Sequence, residues 1–305
     1  MTLKHSHRLG IDLGGTKIEA VLLETGGNVL MRRREPTPRE SDPATEYKGI
    51  LKAVHLLIKE ARGRLSPGNR RCSIGIGIPG TLNPKTGLVQ NANTTSLIGQ
   101  PFKEDMENLL GQAIGVENDA NCFTLAEAAQ GAGRAYEMVF GIILGTGCGG
   151  GLSVNRRIHR GRHAIAGEWG HISVDPLGTT CYCGNRGCVE TKISGGGMAR
   201  AFEEKYGQPK TLEEIARGYR QGEPRCVRAF EQYLEDFGRC LGGLISILDP
   251  DAVVLGGGGS NIDELYTLGR EKVRRYVFHE DLQTPILKNK LGDSAGVFGA
   301  AWIGV

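Results

Sequence analysis

No run of this 305-residue chain is long or apolar enough to span a bilayer, which excludes a helical membrane protein and leaves no membrane partner to expect. The opening MTLKHSHRLGIDLGG passes from a few polar residues straight into an apolar strand. It lacks the long apolar stretch and small-residue cleavage site of a secretory signal, so a cytoplasmic location is expected. Neither sign of charge is in large excess: the formal net charge is +3, and the one basic cluster, Arg32 to Arg34, is too short for a nucleic-acid patch and reads as a solvated strand end. Glycine with four residues before Gly-Lys-Ser/Thr, the P-loop pattern, is absent. Low-complexity segments and long linkers are missing too. Cysteine is present, but eight in a chain of this length and location argue for metal ligation and buried thiols over a disulfide scaffold. Cys72, Cys122, Cys148, Cys226 and Cys240 are therefore expected as small core residues.

What is there is an ordinary soluble composition, 39% hydrophobic and 23% charged, in a chain long enough for two packed lobes. Its most informative stretch runs from Ala166 to Glu190. Cys181, Cys183 and Cys188, separated by turn-forming Gly184 and Gly187, can converge on one tetrahedral ion, with His171 the nearest side chain able to supply a fourth ligand. That is a closed Cys₃His zinc site; four protein ligands leave no position for water, so the ion would be structural. A disulfide or solvated loop thiols are the blander readings. An iron–sulfur cluster would want four thiolates, and no fourth cysteine lies nearby.

Strand and helix signals alternate along the chain and indicate an α/β protein. Leu9 to Leu13 and Ile18 to Leu23 read as strands joined by the turn Asp-Leu-Gly-Gly-Thr-Lys. Glycines there let backbone N–H groups approach a phosphate, Thr16 and Lys17 add a hydroxyl and a positive charge, and Asp12 could hold magnesium through water; a plain hairpin fits equally. Pro43 to Arg62 has helical spacing, and Ser73 to Ile78 is a buried strand ending in Pro79-Gly80-Thr81, with Asn91 and Asn93 in the polar loop that follows. A helix around Glu104 to Leu110 and a short strand lead to Glu117-Asn-Asp-Ala-Asn121 and an alanine-rich helix to about Gln130. Asn118 or Asp119 could cap that helix, or Asp119 could be an exposed carboxylate aimed into a cleft. Met138 to Leu144, the glycines Gly145 to Gly151, and Leu152 to Val154 repeat the opening strand–turn–strand device, which suggests a duplicated fold gripping a nucleotide. Helices are expected over Ser194 to Tyr206 and Glu223 to Leu248, a strand over Ala252 to Leu255, then a glycine turn from Gly256 into a helix over Ile262 to Val277.

Taken in order, Gly10-Ile-Asp-Leu-Gly-Gly-Thr-Lys17, Glu117-Asn-Asp-Ala-Asn121, Gly145-Thr-Gly147, Gly167-Glu-Trp-Gly-His171, Cys181-Tyr-Cys-Gly-Asn-Arg-Gly-Cys-Val-Glu190 and Leu255-Gly-Gly-Gly258 resemble the ROK family. That family groups bacterial sugar kinases with sugar-responsive repressors. The resemblance covers essentially the whole chain and implies a duplicated actin-like ATPase (ribonuclease H-like) fold of two lobes with an interlobe cleft. The small lobe would comprise 1–118 plus 293–305, and the large lobe, with the zinc-binding loop, 119–292.

By the same resemblance, Asp119 is the catalytic base that deprotonates the sugar hydroxyl attacking the γ-phosphate of ATP. Asn118, Glu168, His171 and Glu190 would hydrogen-bond sugar hydroxyls, with Gly80 and Thr81 lining the pocket, and His171 would bind zinc through its other nitrogen. Gly10, Asp12, Gly14, Gly15, Thr16 and Lys17, and Gly145, Thr146, Gly147, Gly149, Gly150 and Gly151, would hold the ATP phosphates, with Mg²⁺ required; Gly257 and Gly258 would lie near the adenosine. The runs Asn91 to Phe102 and Glu190 to Gly195 are most similar to the fructokinase branch, so the expected acceptor is the 6-hydroxyl of fructose, with mannose or glucose also taken. N-acetylglucosamine kinase or glucokinase is the alternative, on the likeness of Asp119 to Phe123 and Gly145 to Leu152. A non-catalytic sugar-responsive regulator is the alternative of another class, but a repressor would carry a helix-turn-helix domain ahead of its first glycine motif, where Asp12 leaves no room. A homodimer is expected.

Overall fold

The computed structural model describes residues 6–24, 26–66 and 72–305. The polar lead-in read at residues 1–5 lies outside them. In chain order the elements are β1 (His7–Leu13), β2 (Lys17–Glu24), β3 (Val29–Pro36), α1 (Pro43–Gly63), β4 (Ser73–Ile78), β5 (Thr81–Leu82), β6 (Val89–Gln90), α2 (Phe102–Leu110), β7 (Gly115–Asn118) and α3 (Asp119–Gln130). Then follow β8 (Met138–Leu144), β9 (Cys148–Val154), β10 (Arg157–Ile158), α4 (Val189–Ile193), α5 (Gly195–Tyr206), α6 (Leu212–Arg220), α7 (Pro224–Leu248), β11 (Ala252–Gly256), α8 (Leu268–Tyr276), β12 (Ile286–Lys288) and α9 (Ala295–Ile303).

Two units emerge. One comprises Met1–Ala126, Arg160–Ile165 and Ser294–Val305; the other comprises Glu127–His159 and Ala166–Asp293, so that one division falls within α3. Each has a five-stranded sheet of the same plan, β3-β2-β1-β4-β7 in the first and β10-β9-β8-β11-β12 in the second. The first three strands of each are antiparallel, and the last two join in parallel. This is the duplication that the two glycine hairpins implied, in a mixed α/β fold.

Local chemistry explains the elements. Helix α1 starts where Asp42 accepts a hydrogen bond from Thr45 N at 2.8 Å and Pro43 occupies the first turn, where no N–H is needed. Its Ile50, Val54, Leu57, Ile58 and Ala61 form one buried stripe joined to Leu9, Ile11, Ile74 and Ile76 of the first sheet. Each large aliphatic side chain so buried contributes roughly 1.5–3 kcal/mol. In the second unit α7, which also opens on a proline, buries Phe230, Tyr233, Leu234, Phe237, Leu241 and Ile245 in a core with Phe140, Ile142, Val253 and Leu255.

The first sheet has a feature that the strand signals did not announce. Gly10, Gly75 and Gly115 stand side by side across β1, β4 and β7. A β-carbon on them would come within 2.1 Å of Val297 O, 1.9 Å of Ala300 O and 2.1 Å of Ile303 O, respectively. The glycines form a flat shelf that lets the α9 backbone lie directly on the strands.

Other expectations are corrected by packing. The glycines from Gly149 to Gly151 belong to β9, which starts at Cys148, because they pair across to Gly141 to Ile143 of β8. The helix expected from Ile262 begins at Leu268, after short 3₁₀ turns at Gly258–Asn261 and Asp263–Leu265. Arg32 and Arg34 are not merely solvated: within β3 they clasp the buried Glu19 of β2 at 2.6 and 2.7 Å. The five cysteines expected in the core are buried and free.

Candidate active site

In the first unit, β7 runs into α3 at Asn118-Asp119, and the question of which residue caps the helix is answered by the hydrogen bonds. Asn118 Oδ1 accepts from Ala120 N at 2.9 Å and Asn121 N at 3.1 Å, while its Nδ2 donates to Gly80 O at 3.1 Å and Asp119 Oδ1 at 3.0 Å. Asn118 is therefore the cap, and Asp119 keeps Oδ2 without a hydrogen-bond partner among the described residues. Burial raises the Asp119 carboxyl above the ordinary aspartate range against the lowering effect of its bonds to Ala120 and Asn118. A carboxylate held in place, with one oxygen uncommitted and its proton affinity raised by burial, is suited to act as a general base.

Glu117 braces this corner from behind. It accepts from Asn118 N at 3.0 Å and Asn121 Nδ2 at 3.1 Å, and pairs with Arg160 at 2.5 Å. Gly80 turns the chain after β4 with φ +81°, and a side chain there would strike Gln90 O at 2.4 Å. Thr81 is buried, and its hydroxyl accepts from Gln90 Nε2 at 3.2 Å.

The turn between β1 and β2 carries Gly14, Gly15 and Thr16, with Lys17 as the first residue of β2. It is held by Gly14 N to Lys17 O at 2.9 Å, and Thr37 and Arg39 donate to the Gly14 and Gly15 carbonyls at 2.7 and 2.5 Å. Asp12, at the end of β1, has its carboxyl pushed up to about 7, first by burial and then by the nearby charges of Asp119 and Glu19. Gly10 is not in this turn; it belongs to the shelf under α9.

In the second unit the turn Gly145-Thr146-Gly147 joins β8 to β9, and its carbonyls accept from Gly195 N at 2.8 Å and Gly196 N at 3.1 Å at the start of α5. Behind it lies a pocket of about 340 Å³ lined by Leu144, Gly145, Thr146, Gly195, Gly196, Ala199, Thr211, Leu212, Glu213, Gly258 and Gly259. Gly257, with φ +74°, sits so close to Leu144 O that a side chain would stand 2.6 Å from it. Gly149, Gly150 and Gly151 lie in the strand instead; a side chain on Gly150 would meet Gly167 O and the Trp169 ring at 2.6 Å. The sequence reading missed Gly195, Gly196 and Glu213. The Ser-Gly-Gly-Gly start of α5 was a visible helix N-terminus, but nothing local marks Glu213.

His171, Cys181, Cys183 and Cys188 come together with their ligand atoms all within 4.8 Å of one another. His171 Nδ1 is 3.6 Å from Cys181 Sγ, and Cys183 Sγ is 3.6 Å from Cys188 Sγ. Zinc–sulfur bonds of about 2.3 Å put tetrahedral ligand atoms roughly 3.8 Å apart, so the donor set fits such an ion. With Nδ1 facing the thiols, the other ring nitrogen, Nε2, is hydrogen-bonded with the Tyr182 hydroxyl at 3.0 Å. Glu190 links this loop to the hairpin: buried, it accepts from Cys148 N at 3.0 Å through Oε2 and lies 4.0 Å from Cys181 Sγ through Oε1. Glu168, half-buried, precedes the 3₁₀ turn Trp169–His171.

The family model described as ROK family matches residues 8–304. An N-acetyl-D-glucosamine kinase of Yersinia pseudotuberculosis serotype O:1b (strain IP 31758) is 38% identical over 304 residues, covering 96% of this chain and 97% of its own. Among solved structures, a ROK hexokinase from Thermus thermophilus is 32% identical with a TM-score of 0.85, covering 98% of this chain and 97% of its own. A ROK family glucokinase from Streptomyces griseus, in complex with glucose and AMPPNP, is 30% identical with a TM-score of 0.79, covering 98% and 99%.

Proposed function

The chain belongs to the ROK family, and from that premise we propose that it is an ATP-dependent kinase acting on the 6-hydroxyl of N-acetyl-D-glucosamine. One observation carries the sugar: identity of 38% with an N-acetyl-D-glucosamine kinase over nearly the full length of both chains. The likeness to fructokinases covers two short runs, Asn91 to Phe102 and Glu190 to Gly195, and the relatives favour the N-acetylated sugar over fructose. Glucose is the second reading, resting on the glucokinase likeness.

In this reading Asp119 accepts the proton of the attacking hydroxyl on Oδ2 while Asn118, locked as helix cap, keeps the carboxylate in one orientation. Glu168, His171 through Nε2, and Glu190 hold ring hydroxyls. With three hydroxyls fixed, the primary hydroxyl is the one presented for transfer; in-line placement matters because an error of about 1 Å costs roughly 10²-fold in rate. Lys17 and the N–H groups of the two glycine turns bind the phosphates. Magnesium near Asp12 would supply the remaining charge neutralisation. Zinc held by His171, Cys181, Cys183 and Cys188 would fix the loop carrying Glu168, His171 and Glu190. The homodimer remains part of the proposal, to be tested by sedimentation.

Steady-state kinetics with ATP and N-acetylglucosamine, glucose, mannose and fructose test the assignment, with phosphorus NMR of the product. The highest kcat/KM is expected for N-acetylglucosamine, as the 6-phosphate. A lead for glucose or fructose would move the enzyme to another branch, a 1-phosphate would overturn the sugar's orientation, and no transfer to any hexose would leave the regulator reading.

A further inference from the structure

The pocket behind the Gly145 turn has one ionisable lining residue, Glu213, among glycines, the apolar Leu144, Ala199 and Leu212, and the hydroxyls of Thr146 and Thr211. Glu213 is the second residue of α6, and acids in a first helical turn are common because the helix dipole favours them. The cap, however, is already complete without it. Thr211 Oγ1 accepts from Glu214 N at 3.2 Å, and Glu214 Oε2 accepts from Thr211 N at 2.7 Å. Glu213 instead faces across the pocket mouth: a β-carbon on Gly258 would stand 3.2 Å from Glu213 Oε1.

A carboxylate there has consequences for what the pocket can hold. It repels phosphate, so the part of a nucleotide beside it must be uncharged and rich in donors. A nucleoside offers two such groups, the exocyclic amine of adenine and the ribose 2′,3′-diol. The flat base belongs against Leu144, Ala199 and the buried Leu212, whereas Glu213 is exposed at the rim. Two carboxylate oxygens match two adjacent hydroxyl donors, each bond strengthened by the charge.

We propose that Glu213 binds the ribose 2′,3′-diol of the nucleotide and makes this enzyme selective for ribonucleotides. The inference rests on the reading of this pocket as the nucleotide site of a kinase. It deepens that reading by naming the residue that selects the sugar of the phosphate donor.

Calorimetric titration with ATP and with 2′,3′-dideoxy-ATP, alongside kcat/KM for both, tests it. Wild type should bind ATP about tenfold or more tightly than the dideoxy nucleotide, the size expected for bonds to a charged group. Glu213→Ala should narrow that ratio to about threefold or less by losing ATP affinity, and Glu213→Gln, with one acceptor left, should fall between. The wild-type ratio needs no variant, so a misfolded mutant cannot protect the proposal, and melting curves report on folding. No wild-type preference, or equal losses of both nucleotides in Glu213→Ala, would overturn it. So would a variant that narrows the gap between ATP and ITP, which lacks the amine, in place of the gap between ATP and dideoxy-ATP. Because the titration needs no hexose, a wild type that discriminates the nucleotides but phosphorylates no sugar would sink the kinase reading and leave the inference standing.

Discussion

Strand β1 ends in Asp12-Leu13 and β8, at the corresponding place, in Ile143-Leu144, although both open the same β-hairpin in sheets of the same order. Between the last paired residues the first hairpin has Gly14, Gly15, Thr16 and Lys17, and the second only Gly145, Thr146 and Gly147. The first copy thus has a carboxylate, a cation and a longer turn where the second has none of the three. Its surroundings raise two aspartates, Asp12 and Asp119, above their ordinary range. The second copy has an apolar strand end and packs its turn onto α5, beside the pocket that Gly258 and Glu213 border. The two sheets share one strand order because a hydrogen-bond register tolerates little change, while the residues at strand ends, where side chains leave the ladder, differ.

If chemistry resides in the first copy and ligand holding in the second, substitutions in the two should separate kcat from KM. The largest effect is expected at Asp119→Asn, which keeps the shape but cannot accept a proton. Turnover should fall roughly 10²- to 10⁴-fold with sugar binding, measured by calorimetry, nearly intact. Near wild-type kcat would remove the base from the first copy. Cys183→Ser should act oppositely, releasing about one zinc per chain by elemental analysis and raising KM for sugar about tenfold or more, with a smaller change in kcat. Carefully prepared wild type without zinc would sink the metal assignment.

Smaller effects test the scaffolds. Gly75→Ala puts a methyl on the Ala300 carbonyl and should destabilise the first unit by about 1–3 kcal/mol in denaturant melts, while Gly145→Ala, with nothing within 4 Å of the new carbon, should not. The smallest is electrostatic. The Asp12 carboxyl has a folded-state pKa near 7, above the unfolded value of about 3.9, so the proton binds the folded state more tightly. Its stabilising contribution is full below about pH 4 and is lost as pH rises through 7. In metal-free protein, Asp12→Asn should therefore raise Tm at pH 8 by more than at pH 5. A pH-independent difference would mean that Asp12 is not held near neutrality.

Much of this was readable along the chain because it is local. Helix α1 announces itself through Asp42, Pro43 and its apolar spacing; β8 is an uninterrupted apolar run; the two glycine turns betray the duplication; and the Cys-x-Cys-x₄-Cys spacing brings three thiols together with only short loops to close. Asn118-Asp119 was legible as a strand-to-helix junction, but not which residue would cap. That was decided when Gly80, from the turn after β4, offered its carbonyl to Asn118 Nδ2. Tertiary structure also decided that Gly10 serves α9 and that Gly150 makes room for Trp169, for a glycine's use depends on what approaches it and no local pattern records that. Arg32 and Arg34 acquired a partner only when β3 paired with β2, and Glu213 reached its pocket only when α6 packed beside Gly258. The sequence by itself determined most of the elements, the duplication and the thiol cluster, because these depend on spacing within a few residues. The roles of single glycines and isolated charges were settled by contacts between segments far apart in the chain, where burial and proximity set both geometry and proton affinity.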